Sequence, residues 1–96
     1  MITLKSAHEI ELMRRAGKIT AAARAVARDM VKPGVTTQQI DKAVHRFITE
    51  QGAIPSFLHY NGYPASVCVS VNDEIIHGIP GKRVLQEGDI VSVDVG

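Results

Sequence analysis

Apolar residues in the first third of the chain recur at helical spacing. Ile10, Met13, Ala16, Ala23, Val26, Ala27 and Met30 fall along one side of a 3.6-residue period, with charged residues between them. Just ahead of them, Ser6-Ala7-His8-Glu9 has the form of a capping box. The Ser hydroxyl there takes an N–H that the first turn leaves unpaired, while the Glu reaches back to the cap amide. The pattern predicts an amphipathic helix from this cap to about Val31, with Met13 and Met30 in the core rather than acting as ligands. Glu11 and Arg15 stand at the i,i+4 spacing of an ion pair. Gly17 and the alanines at 21–23 allow close packing on a sheet. Lys32-Pro33-Gly34 ends the helix, because Pro33 has no N–H and Gly34 admits a turn. Thr36-Thr37-Gln38-Gln39 repeats the capping logic. Ile40, Ala43, Val44, Phe47 and Ile48 then form one face of a second helix, which Gly52 stops. His45 falls on its polar side with Lys42 and Arg46, and His8 lies in the first helical turn. Neither has a second ligand candidate on its face, so neither is read as a metal ligand.

The period then changes from 3.6 to 2. Over residues 66–71, Ser66, Cys68 and Ser70 share one face of a strand and Val67, Val69 and Val71 the other. Residues 71–80 and 88–96 read as two further β segments, each entered through a turn, at Asn72-Asp73 and at Glu87-Gly88-Asp89. In the last segment Val91, Val93 and Val95 oppose Ile90, Ser92 and Asp94. A carboxylate so placed is tolerable if it meets a cation, a metal or several donors. It can equally be solvated at a strand end. His77, before Gly78-Ile79-Pro80, reads either as a hydrogen-bonded loop residue or as a catalytic one, and spacing leaves both open. Residues 53–64 form a loop broken by Pro55, Asn61-Gly62 and Pro64. That loop holds Phe57, Tyr60 and Tyr63, three of the four aromatics, which either pack back on the helices or face a pocket. Two helices followed by antiparallel strands give an α+β domain, both helices on one face of the sheet.

Composition narrows the picture a little. Ninety-six residues at 45% hydrophobic content suit a single globular domain spanning 1–96. No apolar run approaches the ~18 residues that cross a bilayer, and Met1-Ile2-Thr3-Leu4-Lys5 is no signal peptide. A lone cysteine closes no intrachain disulfide and suits a reducing, cytoplasmic location. The net charge of +1 conceals an asymmetry: residues 1–32 carry seven basic and three acidic side chains (+4), the remainder four and seven (−3). A basic helix can contact RNA or simply be a solvated face. Glycine-rich nucleotide loops, Cys-x-x-Cys and His-Glu-x-x-His are absent.

Wording says more than spacing. Tyr63-Pro64-Ala65-Ser66-Val67-Cys68-Val69-Ser70-Val71-Asn72, then His77-Gly78-Ile79-Pro80, then Gly88-Asp89-Ile90-Val91-Ser92-Val93-Asp94, closely resemble the type I methionine aminopeptidases, from about Ile10 onward. The resemblance implies half of a pita-bread fold, the N-terminal half. It also implies an enzyme that removes initiator methionine from nascent proteins by two-metal hydrolysis with Co, Mn, Fe or Zn. Asp94 matches one metal ligand; the other four of the family's five, an Asp, a His and two Glu, have no counterpart here. His77 matches a residue that hydrogen-bonds near the scissile amide and steadies the tetrahedral intermediate. Tyr60, Tyr63 and Cys68 match the methionine side-chain pocket, with Phe57 near its rim, while His59 and Asn61 fall where the family varies. A thioether suits such a wall. With one carboxylate the chain alone is expected to bind metal weakly, if at all, and to be inactive. Exposed strand edges imply self-association or pairing with the missing half, and the basic first helix is either a solvated face or the place of a ribosome contact. The alternative is a non-catalytic half pita-bread module that binds itself, nascent chains or ribosomal RNA.

Overall fold

The computed structural model describes residues 1–96. Helix α1 spans Ala7–Met30, helix α2 Thr37–Glu50, strand β1 Val67–Val71 and strand β2 Val91–Val95, with a single 3₁₀ turn at Tyr60–Gly62. Both helix starts carry the reciprocal caps that the sequence encodes. Glu9 N donates to Ser6 Oγ at 3.2 Å while Ser6 N donates to Glu9 Oε1 at 2.8 Å. Gln39 N donates to Thr36 Oγ1 at 3.1 Å and Thr36 N to Gln39 Oε1 at 2.8 Å. Each pair satisfies two amides that no helical carbonyl reaches.

The buried face of α1 is shorter than its apolar stripe. Only Ala23 and Ala27 are buried, Val26 and Met30 pack at the margin, and Ile10 and Met13 are 48% and 57% exposed. Met13 is therefore not a core residue. Length is the reason: 24 residues reach about 36 Å and the 14 of α2 about 21 Å, so the first half of α1 overhangs its partner. Glu11 pairs with Arg14 at 3.2 Å, one turn position earlier than Arg15, on the open surface.

On α2, Thr37, Ile40, Val44 and Ile48 are buried, with Ala43 and Phe47 half-buried. His45 is not on a solvated face. Its Nδ1 lies 2.8 Å from Ser66 Oγ, half-buried where the chain enters β1. At about 100° per residue, position 45 lies only about 60° round the helix from the buried Ile48, at the edge of the face that packs on the strand.

The two strands pair antiparallel, with Val67 opposite Val95, Cys68 opposite Asp94 and Val71 opposite Val91. All five residues of β1 are buried, whereas β2 alternates half-buried valines with exposed Ser92 and Asp94. Val67, Val69 and Val71 meet Ala23, Ala27, Ile40, Val44, Ile48 and Leu85 in one core. The helices thus cover one face of the sheet, as expected.

Residues 74–80 are not the strand that the sequence suggested. After the turn at Asn72 (φ 54°), the chain runs back beside β1, but His77 takes a left-handed φ of 54°. That conformation breaks an extended run. Gly78 then lies so close that a Cβ would overlap the Val69 carbonyl oxygen. A further pairing was not foreseen. Residues 81–85 lie along the linker between the helices, through Gly34 N to Leu85 O and Leu85 N to Val35 O, both 2.8 Å, and Thr37 N to Arg83 O at 3.1 Å. Thr37 Oγ1 accepts the Gly81 amide at 2.8 Å. No helix is long and apolar enough to cross a membrane.

Candidate functional site

A cleft of about 540 Å³ opens at the Asp94 end of the sheet, lined by Phe57, Tyr60, Tyr63, Cys68, His77 and Asp94, together with Asn61, Gly62, Pro64 and Ile79. Every site residue singled out from the sequence therefore meets at one place. Each arrives by a different local cause.

The aromatic wall comes from the loop. His59, Asn61 and Gly62 all have positive φ, a tight sequence of left-handed residues that folds the segment back on itself and presents Tyr60 and Tyr63. Tyr63 is half-buried, and its hydroxyl donates to Val67 O at 2.9 Å, with Gly78 O at 3.4 Å on the far side. Burial, then a hydrogen bond with the Cys68 thiol, holds the Tyr63 phenol above its ordinary value, so it stays protonated. Tyr60 is 70% exposed and forms the outer lip. Phe57 is fixed by the end of β2: Ser56 N donates to Gly96 O at 3.1 Å, and the ring lies against Gly96.

The floor is the sheet. Cys68 is buried at 6% exposure and stands directly opposite Asp94 across the ladder. Asp94 is exposed and takes part in none of the ion pairs of the chain. Of the two readings that strand alternation leaves open for Asp94, the solvated one holds. Asp94 points to the same cleft as His77, which is also exposed and is delivered there by its left-handed backbone.

Asn61, next to Tyr60, and Ile79, two residues after His77, also line the cleft. Asp41 was missed entirely. Its Oδ1 accepts the amides of Ser66 at 2.7 Å and Val67 at 3.0 Å, fixing the start of β1 from helix α2. Its partners lie 25 and 26 residues away, and no local pattern marks such a contact.

As chemistry, the cleft joins an aromatic and thiol wall, fit for an unbranched apolar side chain, to an imidazole and a free carboxylate. A hard oxygen such as Asp94 fits a divalent cation as one ligand. No three His, Cys, Asp or Glu side chains are grouped so as to hold an ion by themselves.

The whole chain aligns with known proteins. The model of metallopeptidase family M24 matches residues 11–96. Methionine aminopeptidase 1 of Bacillus subtilis is 51% identical over 96 residues, all of this chain and 39% of that protein. The crystal structure of methionine aminopeptidase from Rickettsia prowazekii superposes with a TM-score of 0.95 at 43% identity, over 99% of this chain and 38% of that one. Methionine aminopeptidase from Thermotoga maritima gives 0.95 at 44% identity, over 99% and 39%. The pita-bread fold is thereby shared, and the chain spans about two fifths of the length of these relatives, somewhat less than a half.

Proposed function

The chain belongs to metallopeptidase family M24, and on that premise we propose that it is the part of a methionine aminopeptidase that seats the substrate's N-terminal methionine. The single observation that carries this is the convergence of Phe57, Tyr60, Tyr63, Cys68, His77 and Asp94 on one cleft. The methionine side chain lies against Tyr63 and Cys68, where its polarizable sulfur meets an aromatic edge and a thiol. Tyr60 and Phe57 close the outer side and disfavour larger groups by sterics. His77 hydrogen-bonds at the scissile amide and orients it. Asp94 supplies one carboxylate ligand to the divalent ions (Co, Mn, Fe or Zn class) of the complete enzyme. When bound, such ions lower the pKa of a water and polarise a carbonyl. One carboxylate is too few for that centre, so the 96 residues by themselves are proposed to be inactive. On this reading the protein acts in the cytoplasm, on nascent chains.

The test is a chimera in which this chain replaces the matching 96 residues of the Bacillus subtilis relative. It should release methionine from a short Met-Ala peptide. Asp94→Ala or His77→Ala should lower that rate by about 100-fold or more. Wild-type rates in both variants would refute the assignment. The isolated chain should show no metal-dependent release above its own His77→Ala control.

A second reading, a non-catalytic module that associates with itself, is favoured by one observation. Ile75, Ile76, Ile79 and Ile90 are between 61% and 89% exposed, large apolar side chains left in water. A chimera without activity, combined with a stable dimer of the isolated chain, would favour it. The overhanging half of α1, with Arg14, Arg15 and Lys18 exposed, is where we place a ribosome contact. Its test is salt-dependent co-sedimentation with ribosomes, lost in Arg14→Glu/Arg15→Glu.

A further inference from the structure

Burial does not hold His77 at the cleft, since the residue is exposed. What fixes it must act through the backbone. Its φ of 54° is a conformation that a residue with a Cβ leaves readily for the ordinary negative region unless its neighbours prevent it. The neighbour that does so is Gly78. Its carbonyl accepts from Val69 N at 2.8 Å, an ordinary rung between backbone groups. Its amide has no such rung. The turn at His77 has taken the chain out of line with β1, and Gly78 N donates instead to a side chain, Ser70 Oγ, at 3.1 Å. Ser70 is 5% exposed and lies on the β1 face that also carries Cys68. With both backbone groups of Gly78 tied to adjacent residues of one buried strand, and no room there for a Cβ, the peptide linking His77 to Gly78 has one orientation.

We propose that Ser70 is a positioning residue for His77: by accepting the Gly78 amide, its buried hydroxyl keeps His77 in the left-handed conformation that directs the imidazole into the cleft. No other side chain in the chain accepts that amide. Ser70 does not line the methionine pocket beside Tyr63 and Cys68, so its loss should disturb orientation of the reacting group and not seating of the side chain. The inference rests on the reading of His77 given above.

The experiment measures kcat and KM of the chimera with the Met-Ala peptide. Ser70→Ala should lower kcat by roughly tenfold to a hundredfold, the range expected when a reacting group is misplaced by about an ångström, with KM changed by less than about twofold. Ser70→Thr, which keeps the hydroxyl, should restore most of the rate. If His77→Ala leaves the rate unchanged, the reading of His77 fails, and this inference with it. If His77→Ala abolishes the rate but Ser70→Ala does not lower kcat, or raises KM as much as it lowers kcat, the positioning role alone is overturned. Failure of Ser70→Thr to rescue would overturn it too. Where Ser70→Ala does not fold, the unaltered chain decides by hydrogen exchange. A Gly78 amide protected like those of β1 supports the clamp, and one exchanging at the rate of an open loop overturns it.

Discussion

Both backbone groups of Val67 are held by side chains: its amide donates to Asp41 at 3.0 Å and its carbonyl accepts from Tyr63 at 2.9 Å. Asp41 thereby sets where β1 begins, and through it the stance of the tyrosine wall. Asp41→Ala should cost about 2–3 kcal/mol in urea unfolding, because two amides lose a charged acceptor. Asp41→Asn, which keeps an acceptor oxygen, should cost less. Tyr63 makes a prediction at high pH. Its folded-state pKa lies above the ordinary 10.0, so the unfolded chain releases this proton first. Its contribution is complete below pH 10 and lost as pH rises beyond it. Tyr63→Phe should therefore flatten the fall of stability above pH 10, read from unfolding midpoints across an alkaline series.

Among the elements, α1 shows where pattern and packing part. Met13→Lys, on the overhang, should change stability by no more than about 0.5 kcal/mol. Ala23→Leu, in full contact with the core, should cost about 1–3 kcal/mol by overpacking; thermal unfolding of the two variants checks both. The sequence showed the helices and their caps because those are made by residues three or four positions apart, Ser6 with Glu9 and Thr36 with Gln39. It could not show where the α1 stripe stops being buried, since that depends on the length of α2. The alternation of β1 and β2 was legible for the same local reason. The irregular course at 74–80 was not, because Ile75-Ile76 looks like any strand and only the close approach of Gly78 to Val69 reveals the turn at His77. The cleft was legible only through the wording of its motifs: Phe57, Tyr60, Tyr63, Cys68, His77 and Asp94 come from four separate stretches, and no periodicity connects them. Asp41 and His45, each bonded to the entry of β1 more than twenty residues away, carried no mark at all.

The molecule as a whole is uneven in what it covers. Its sheet has two strands, so the outer edge of β2 is unpaired, and Ile75, Ile76, Ile79 and Ile90 are exposed. The isolated chain should therefore show a mass by light scattering that climbs with concentration, and Ile76→Lys with Ile90→Lys should return it to a monomer. A concentration-independent monomeric mass for the unaltered chain would count against that. The pairing of residues 81–85 with the linker between the helices also bears on how the chain reaches this state. Thr37 and Gly81 stand 44 positions apart, so joining them closes the longest side-chain-bonded loop in the protein. Such a closure loses chain entropy before it gains contacts, and it should come after the caps and helices have formed. Thr37→Ala should then speed unfolding while leaving the refolding rate nearly unchanged, as stopped-flow traces in denaturant would reveal.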